Sequence, residues 1–326
     1  MHKLLITGCN GFVGTNLYHA WHEIFSLSGL DLPGHGPYPQ ERLYSWEDLS
    51  AGRLPEVDTV IHLAGKAHDT SNAADPESYF RINLGLTQQI FDWFQRSTAQ
   101  HFIFFSSVKA VADTVPGDVL TEDVEPDPQT PYGQSKLAAE ALLRSASGAS
   151  EGMASKGKRV TILRPCMIHG PGNKGNLNEL YSIVSKGIPW PLGAFDNRRT
   201  FVSIDNLIFV LQRLIEQDGP SGTYQVADDE AVSTNDLVKL IAESVGKKPR
   251  IWQVPPGAVG WLARVGDGMR LPLNSERLKK LTESYVASNA RLKGALGIDK
   301  LPVTAEDGLR KTLASFGDLG SHEKAP

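Results

Sequence analysis

Short apolar runs alternate along this chain with stretches whose apolar residues recur every three or four positions, and that rhythm predicts strands joined by helices. Lys3 to Thr7 is the first run; Leu17, Ala20, Trp21 and Ile24 then follow at helical spacing. A second strand is predicted to end at Asp31, before a Pro- and Gly-rich loop over 32–39. Asp58 to Leu63, Phe102 to Phe105 and Val160 to Leu163 are continuous apolar runs, as strands buried on both faces of a parallel sheet require. One long helix is predicted over 76–98 and another over 132–146. Beyond Pro165 the pattern predicts a loop over 170–175, a helix over 177–186, a strand over 200–204 and a helix over 206–216. The alternation predicts an α/β fold, a Rossmann-type doubly wound parallel sheet with a smaller C-terminal substrate-binding lobe. The sheet domain is assigned to 1–165, with 200–225 returning to it; the lobe takes 166–199 and 226–316, and 317–326 is read as a flexible tail.

Composition narrows the function rather than the fold. The 326 residues carry 33 basic and 37 acidic side chains, a net charge of -4, which argues against general attraction to nucleic acid or to a membrane. Two distant cysteines, Cys9 and Cys166, exclude a disulfide framework and fit a reducing cytoplasm. No apolar run approaches the ~18 residues of a membrane span, and the first residues do not resemble a leader, so a cytoplasmic protein is expected.

Two patterns carry chemistry. Gly8, Gly11 and Gly14 form G-x-x-G-x-x-G between the first strand and first helix. Glycines there let the backbone approach a pyrophosphate, whose charge then meets the positive helix N-terminus. Asp31, about twenty residues on, fits a carboxylate that accepts from an adenosine ribose and repels a 2′-phosphate. Tyr132 and Lys136 lie four apart on one helix face, after Ser106 and Ser107 at the end of a predicted strand. A phenol titrating near 10 is a poor base at neutral pH; an ammonium that brings it to about 7 supplies roughly 4 kcal/mol of preference for the phenolate. The serine hydroxyl can hold the reacting oxygen while the proton moves.

Together with His62-Leu63-Ala64-Gly65, these motifs resemble the nucleotide-sugar epimerase/dehydratase branch of the extended short-chain dehydrogenase/reductase superfamily over about residues 1–300. The resemblance implies NAD held by Gly8, Asn10, Gly11, Phe12, Val13 and Gly14, with Asp31 on the adenosine ribose and Asp48 and Leu49 by the adenine. It extends that set along Leu63, Ala64, Gly65, Lys66, Asn83 and Pro165 to Tyr132 and to Lys136 at the nicotinamide ribose. It makes Ser107, Tyr132 and Lys136 catalytic, and gives Asn176, Leu177 and Arg199, with Ser107, to a UDP-sugar substrate. It also implies a homodimer formed through the two long helices, and a 4-epimerase or 4-ketoreductase of surface polysaccharide biosynthesis. Val108-Lys109 departs from the acidic pair that sugar dehydratases carry after the Ser/Thr, and His169-Gly170 stands where Tyr-Gly is usual. The dehydratase reaction is therefore not expected. Rival readings are a hydroxysteroid or flavonoid-like reductase and a non-catalytic dinucleotide sensor.

The remaining candidates have plainer readings. His19 and His22 belong to a solvated helix face, and no metal site is expected. His62 reads as a hydrogen-bonded core histidine, Cys9 as a small loop filler, and Trp252 and Trp261 as packing of the smaller lobe.

Overall fold

A computed structural model describes residues 1–67, 75–146, 157–173, 175–217, 220–269 and 274–322. The chain opens with β1 (Lys3–Thr7), α1 (Phe12–Trp21), β2 (Ser26–Leu30), β3 (Leu43–Tyr44), α2 (Trp46–Ser50) and β4 (Thr59–His62). It continues through α3 (Pro76–Tyr79), a π turn at Phe80–Leu84, α4 (Gly85–Arg96), β5 (His101–Phe105), α5 (Pro131–Ala146) and β6 (Arg159–Pro165). After β7 (Met167–His169), α6 (Asn176–Ser185), β8 (Arg198–Ser203) and α7 (Ile204–Glu216) comes β9 (Gly222–Val226). The last elements are β10 (Ala231–Ser233), α8 (Thr234–Ser244), α9 (Pro256–Met269), α10 (Ser275–Thr282), α11 (Ala290–Leu296) and α12 (Ala305–His322).

Seven parallel strands in the order β3-β2-β1-β4-β5-β6-β9 make the large sheet. The period of two decides which side each residue serves. Leu4, Ile6, Ile61, Ile103 and Leu163 face α1 and α7, whereas Leu5, Val60, Phe102, Phe104 and Ile162 face α4 and α5. The strand order reverses between β1 and β4, so the crevice at their C-terminal ends is where such sheets take ligands.

Three sequence expectations change. The helix over 76–98 is interrupted by the five-residue π turn, which rotates Asn83 into the protein. Within 200–225, α7 and β9 join the large sheet, but β8 pairs with β7 and β10 in a separate three-stranded sheet. The tail expected from residue 317 is, through His322, the end of α12, whose Leu309, Leu313 and Phe316 are buried in the second lobe with Leu177 and Val184 of α6.

Candidate active site

The glycine turn is fixed by steric demands at two of its members. Gly8 holds φ at 68°, and a Cβ there would stand 2.7 Å from the Ala64 amide nitrogen. At Gly14 a Cβ would stand 2.5 Å from the Cys9 carbonyl oxygen, so α1 can pack this closely on the turn only with glycine. Gly11 is the N-cap of α1 and supplies no side-chain cap, which leaves the first amides of the helix facing the crevice. Phe12 and Val13 lean partly buried on the core beneath.

Asp31 follows β2 and is pinned by two amides: Asn10 N–H donates to Oδ2 at 2.8 Å and Leu32 N–H to Oδ1 at 2.8 Å. A carboxylate has about four acceptor positions, so two remain for a diol. Asn10 Nδ2 is buried without a hydrogen-bond partner, a polar atom awaiting an acceptor at the mouth of the turn. The Cys9 thiol is inert: burial pushes it up to about 12, and this outweighs the helix N-terminus beside it.

Asp48 and Leu49, the expected adenine neighbours, sit on α2. The Asp48 carboxylate accepts from the Ser45 amide at 2.8 Å, closing a capping box at the start of α2, and from Arg53 Nε at 2.8 Å. Leu49 points into the core under the sheet.

The loop after β4 is braced from behind. Thr7 Oγ1 lies 2.6 Å from His62 Nδ1, and His62 Nε2 lies 3.0 Å from Thr87 Oγ1, which donates to the Asn83 carbonyl at 2.6 Å. The Ala64 amide donates to the Thr7 hydroxyl at 3.2 Å, and Leu63 continues the backbone pairing with Thr7 at 3.1 Å. Burial, with the Lys136 charge nearby, brings His62 down to about 3, so it is a neutral brace, as its place in an apolar strand predicts. Asn83 accepts from the Lys66 amide at 2.7 Å and donates to the Lys66 carbonyl at 3.1 Å and to Ser135 Oγ at 2.9 Å. Lys66 Nζ reaches Ser78 Oγ at 3.0 Å. Gly65 is thereby cradled: a Cβ on it would lie 2.8 Å from Asn83 Oδ1 and 3.0 Å from Lys136 Nζ.

Ser107, Tyr132 and Lys136 meet where β5 ends against the first turns of α5. The two serines are sorted by their partners. Ser106 Oγ donates to Glu140 Oε1 at 2.5 Å, while the Ser107 hydroxyl accepts from the Lys109 amide at 3.1 Å and draws the value of the neighbouring Tyr132 phenol down. Ser107 is thus the serine with a hydroxyl in the site. Lys136 Nζ donates to the Phe105 carbonyl at 2.8 Å, and burial brings it down to about 8 against the opposing pull of Glu140.

The expected depression of the phenol is corrected here. Burial holds Tyr132 above its ordinary value; the Ser107 bond pulls it down and the neighbouring Tyr79 raises it further. The Lys136 ammonium is turned to the Phe105 carbonyl at the end of β5.

Sequence reasoning missed the group behind the site. Glu140, one turn beyond Lys136, accepts from Arg164 Nε at 2.9 Å and Arg164 Nη2 at 2.6 Å, and pairs also with Arg144. Burial alone would raise the Glu140 carboxyl, but the Arg164 bonds and charge bring it below the usual range. The fourfold step Tyr132, Lys136, Glu140 was the available signal; its partner on β6 is 24 residues away and gives none.

The outlying candidates are dispersed. Pro165 ends β6, buried and paired in register with Val226. Asn176 is exposed at the first turn of α6, whereas the Leu177 side chain is in the second lobe's core. Arg199 Nε donates to the Glu283 carbonyl at 3.3 Å and its charge is felt by Lys109. Lys109 Nζ donates to the Asp113 carbonyl at 2.8 Å and lies 4.0 Å above the Tyr285 ring, and Val108 is buried. Trp252 and Trp261, expected to pack the lobe, are 55% and 64% exposed. Among the described residues no group of three or more His, Cys, Asp or Glu side chains could hold a metal, and no helix is long and apolar enough to cross a membrane.

Residues 4–227 match the family described as "NAD dependent epimerase/dehydratase family". The chain is 30% identical over 325 residues to UDP-glucose 4-epimerase of Vibrio cholerae, covering 96% of this chain and 95% of that protein. It is 26% identical over 324 residues to the N-acetyl-alpha-D-glucosaminyl-diphospho-ditrans,octacis-undecaprenol 4-epimerase of Escherichia coli O157:H7, covering 95% and 94%. Among solved structures, Bordetella bronchiseptica WbmG in complex with NAD superposes with a TM-score of 0.74 at 20% identity, covering 98% of this chain and 96% of that one. The Thermus thermophilus UDP-glucose 4-epimerase complex with NAD gives 0.72 at 21% identity, covering 97% and 99%, and both share this fold. With the glycine turn, the Asp31 carboxylate and the Ser107, Tyr132 and Lys136 group assembled at one sheet edge, the chain belongs to the NAD dependent epimerase/dehydratase family and is an NAD-dependent enzyme of the extended short-chain dehydrogenase/reductase type.

Proposed function

We propose that the protein is a 4-epimerase of a UDP-linked hexose, working by proton transfer at Tyr132, and that it serves surface polysaccharide biosynthesis. The observation that carries this reading is the meeting of Ser107, at the end of β5, with Tyr132 and Lys136 of α5, where Lys136 Nζ donates to the Phe105 carbonyl at 2.8 Å and Ser107 draws the Tyr132 phenol down. Both 4-epimerase relatives carry, by name, a sugar or its diphosphate-linked form, which supports a hexose held through a diphosphate.

The residues present fit the cofactor. The uncapped start of α1 and the unpartnered Asn10 Nδ2 suit a pyrophosphate, and the remaining acceptor positions of Asp31 suit a ribose diol. Gly65, where a Cβ would meet Asn83 Oδ1 at 2.8 Å and Lys136 Nζ at 3.0 Å, would let the dinucleotide lie along the backbone after β4 beside Lys136. NAD supplies a hydride acceptor and donor for one carbinol carbon. Tyr132 takes the 4-hydroxyl proton and returns it, Ser107 holds that oxygen in line, and the Lys136 ammonium favours the phenolate once the site is filled. Asn176, the Leu177 backbone and Arg199 would meet the nucleotide diphosphate from the second lobe.

Elimination of water is not part of this reading. Val108 has no transferable proton, and Lys109 is directed to Asp113 and Tyr285. The test is NMR of products after incubation with NAD and UDP-glucose or UDP-GlcNAc, and with NADH and a UDP-4-keto-6-deoxy sugar. Inversion at C4 is the expected result. Reduction of the third substrate without inversion of the others would make the enzyme a ketoreductase, and a 4-keto-6-deoxy product would overturn the reading.

A homodimer through 76–96 and 131–146 belongs to the same proposal. Phe80 is exposed there, and Trp93, Leu137 and Leu142 are half-buried. Sedimentation at micromolar concentration should give a dimer; a monomer would refute it.

A further inference from the structure

Segment 283–288 runs between the two lobes and is hydrogen-bonded to both. On one side it pairs with β8: the Tyr285 amide donates to the Arg198 carbonyl at 2.8 Å, the Thr200 amide to the Tyr285 carbonyl at 3.0 Å and the Ala287 amide to Thr200 Oγ1 at 3.0 Å. On the other it holds the loop that follows β5, where the Leu120 amide donates to the Val286 carbonyl at 2.8 Å and the Ser288 amide to the Leu120 carbonyl at 2.9 Å. The Tyr285 side chain reaches further, to the turn directly after Ser107. Its hydroxyl lies 2.8 Å from the Ala112 carbonyl and 3.3 Å from the Val108 carbonyl, and its one proton serves both. Lys109 closes the same corner: its Nζ donates to the Asp113 carbonyl at 2.8 Å and stands 4.0 Å from the centre of the Tyr285 ring. The phenol is thus gripped at its hydroxyl by the turn's carbonyls and at its face by the turn's ammonium.

That turn governs Ser107. A hydroxyl rotates to suit its partners, so its direction is defined only when one of them is fixed. For Ser107 the fixed partner is the Lys109 amide, which donates to Oγ at 3.1 Å within the 3₁₀ turn Val108–Ala110. With one acceptor position taken, the proton and the other lone pair are left for Tyr132 and a bound sugar oxygen. The turn's own bonds run from the Ala110 amide to the Ser107 carbonyl at 2.9 Å and from the Val111 amide to the Val108 carbonyl at 3.0 Å, a 3₁₀ geometry poorer than that of an α-helix. Side chains hold the carbonyls of Val108, Ala112 and Asp113 in addition, and the one on the first two comes from the segment paired with β8. Burial disfavours the Lys109 ammonium, so its place at this corner has a cost that a solvated loop lysine would avoid.

We infer that Tyr285 is a positioning residue, with Lys109 as its partner: the pair clamps the turn after Ser107 so that the Ser107 hydroxyl is presented in one direction to Tyr132 and the sugar oxygen. The inference rests on the reading of Ser107 as the hydroxyl that holds the reacting oxygen. It adds a link between the lobes. Tyr285 lies opposite Arg199 in a β-bridge, so the strand that carries Arg199 and the turn that carries Ser107 are fixed to each other through one side chain. The nucleotide end and the sugar end of the substrate are then held at one spacing.

The test compares Tyr285→Phe, Lys109→Met and Lys109→Arg with the wild type, all NAD-loaded. Tyr285→Phe keeps the ring beside the ammonium and removes the hydroxyl; Lys109→Met keeps the stem and removes the charge; Lys109→Arg keeps a cation that can meet both partners. Amide hydrogen exchange over 108–112, read by mass spectrometry without substrate, should be about fivefold faster in the first two variants and unchanged in the third. With UDP-glucose or UDP-GlcNAc, kcat should fall about tenfold in the first two while KM and NAD affinity stay within about twofold, and Lys109→Arg should recover most of the rate. Lys109 is only half-buried, so its variants keep the fold and decide the matter if Tyr285→Phe is destabilised. Unaltered exchange, a kcat equal to that of the wild type despite faster exchange, or a rise in KM at constant kcat would each overturn the inference. A wild type inert on both sugars would count against the proposed epimerase alone, since exchange still decides whether the clamp holds the turn.

Discussion

At the edge of the large sheet, Lys136, Glu140 and Arg164 are almost wholly out of water, and each has a named partner at hydrogen-bond distance. In the second lobe, apolar side chains as large as Trp252 and Trp261 lie open to solvent among unburied cations. The first region departs from the rule that charges stay outside, the second from the rule that large apolar groups go inside. Both departures have an energetic cost. Buried ion pairs with complete hydrogen bonding are weak sources of stability, but they fix geometry when one member is lost only at great expense. At the sheet edge that geometry is the position of Ser107 and Lys136.

Replacing Tyr132 breaks the first region at its chemical centre. Tyr132→Phe keeps the ring that packs near Tyr79 and removes the proton, so kcat should fall by about a thousandfold or more while NAD affinity stays within a fewfold. Single-turnover kinetics with NAD titration by fluorescence separates the two. Turnover within about tenfold of wild type would sink the assignment of Tyr132.

Glu140→Ala tests whether the buried pair is structural necessity. Arg164 and Ser106 would be left unpaired inside the protein, and removing one partner of a buried pair costs on the order of 3–5 kcal/mol. Trp261→Ser, on the open face, should change stability by about 0.5 kcal/mol or less. Urea unfolding of both variants measures the contrast directly, and equal effects would erase it.

How much of this was readable beforehand follows from distance along the chain. The Tyr132 to Lys136 spacing and the glycine turn lie within a few residues, so helix periodicity and backbone sterics expose them. The Ser45 and Asp48 capping box was equally local: the Asp48 carboxylate accepts two hydrogen bonds from Ser45 and one from Arg53. Glu140 with Arg164, and the π turn that aims Asn83 inward, depend on neighbours that meet only in the folded sheet. The exposed tryptophans escaped for a different reason: hydrophobicity predicts burial, and only the structure says which apolar residues the lobe has room to cover.

Lys136 sharpens the comparison through pH. Its folded value of about 8 lies below the ordinary lysine value near 10.4, because burial disfavours the ammonium. The unfolded chain then binds more protons between those values, so wild-type stability should rise with pH across that window. Below about pH 8 the cost of the buried ammonium is fully present. Relative to Lys136→Met, the wild type should therefore gain roughly 3 kcal/mol between pH 7 and pH 10.5. Urea denaturation of the pair at both pH values measures it. A pH-independent difference would mean that Lys136 keeps its ordinary value in the fold and that burial does not bring it down.

Asp31 sets the smallest and most specific effect. Its carboxylate is held by the Asn10 and Leu32 amides at 2.8 Å each, so it cannot swing away to admit a 2′-phosphate. Such a phosphate would bring like charge against a fixed anion at the edge of the glycine turn, and residues Leu32 to Tyr38 contain no Lys or Arg to neutralise it. Wild type should bind NAD at least tenfold more tightly than NADP. Asp31→Ala removes the repulsion and the ribose acceptor together, lowering NAD affinity by about 1–2 kcal/mol and bringing the two cofactors close to parity. Calorimetric titration of both dinucleotides into both proteins gives the four constants. An unaltered NAD to NADP ratio in Asp31→Ala would place the adenosine ribose somewhere other than beside the end of β2.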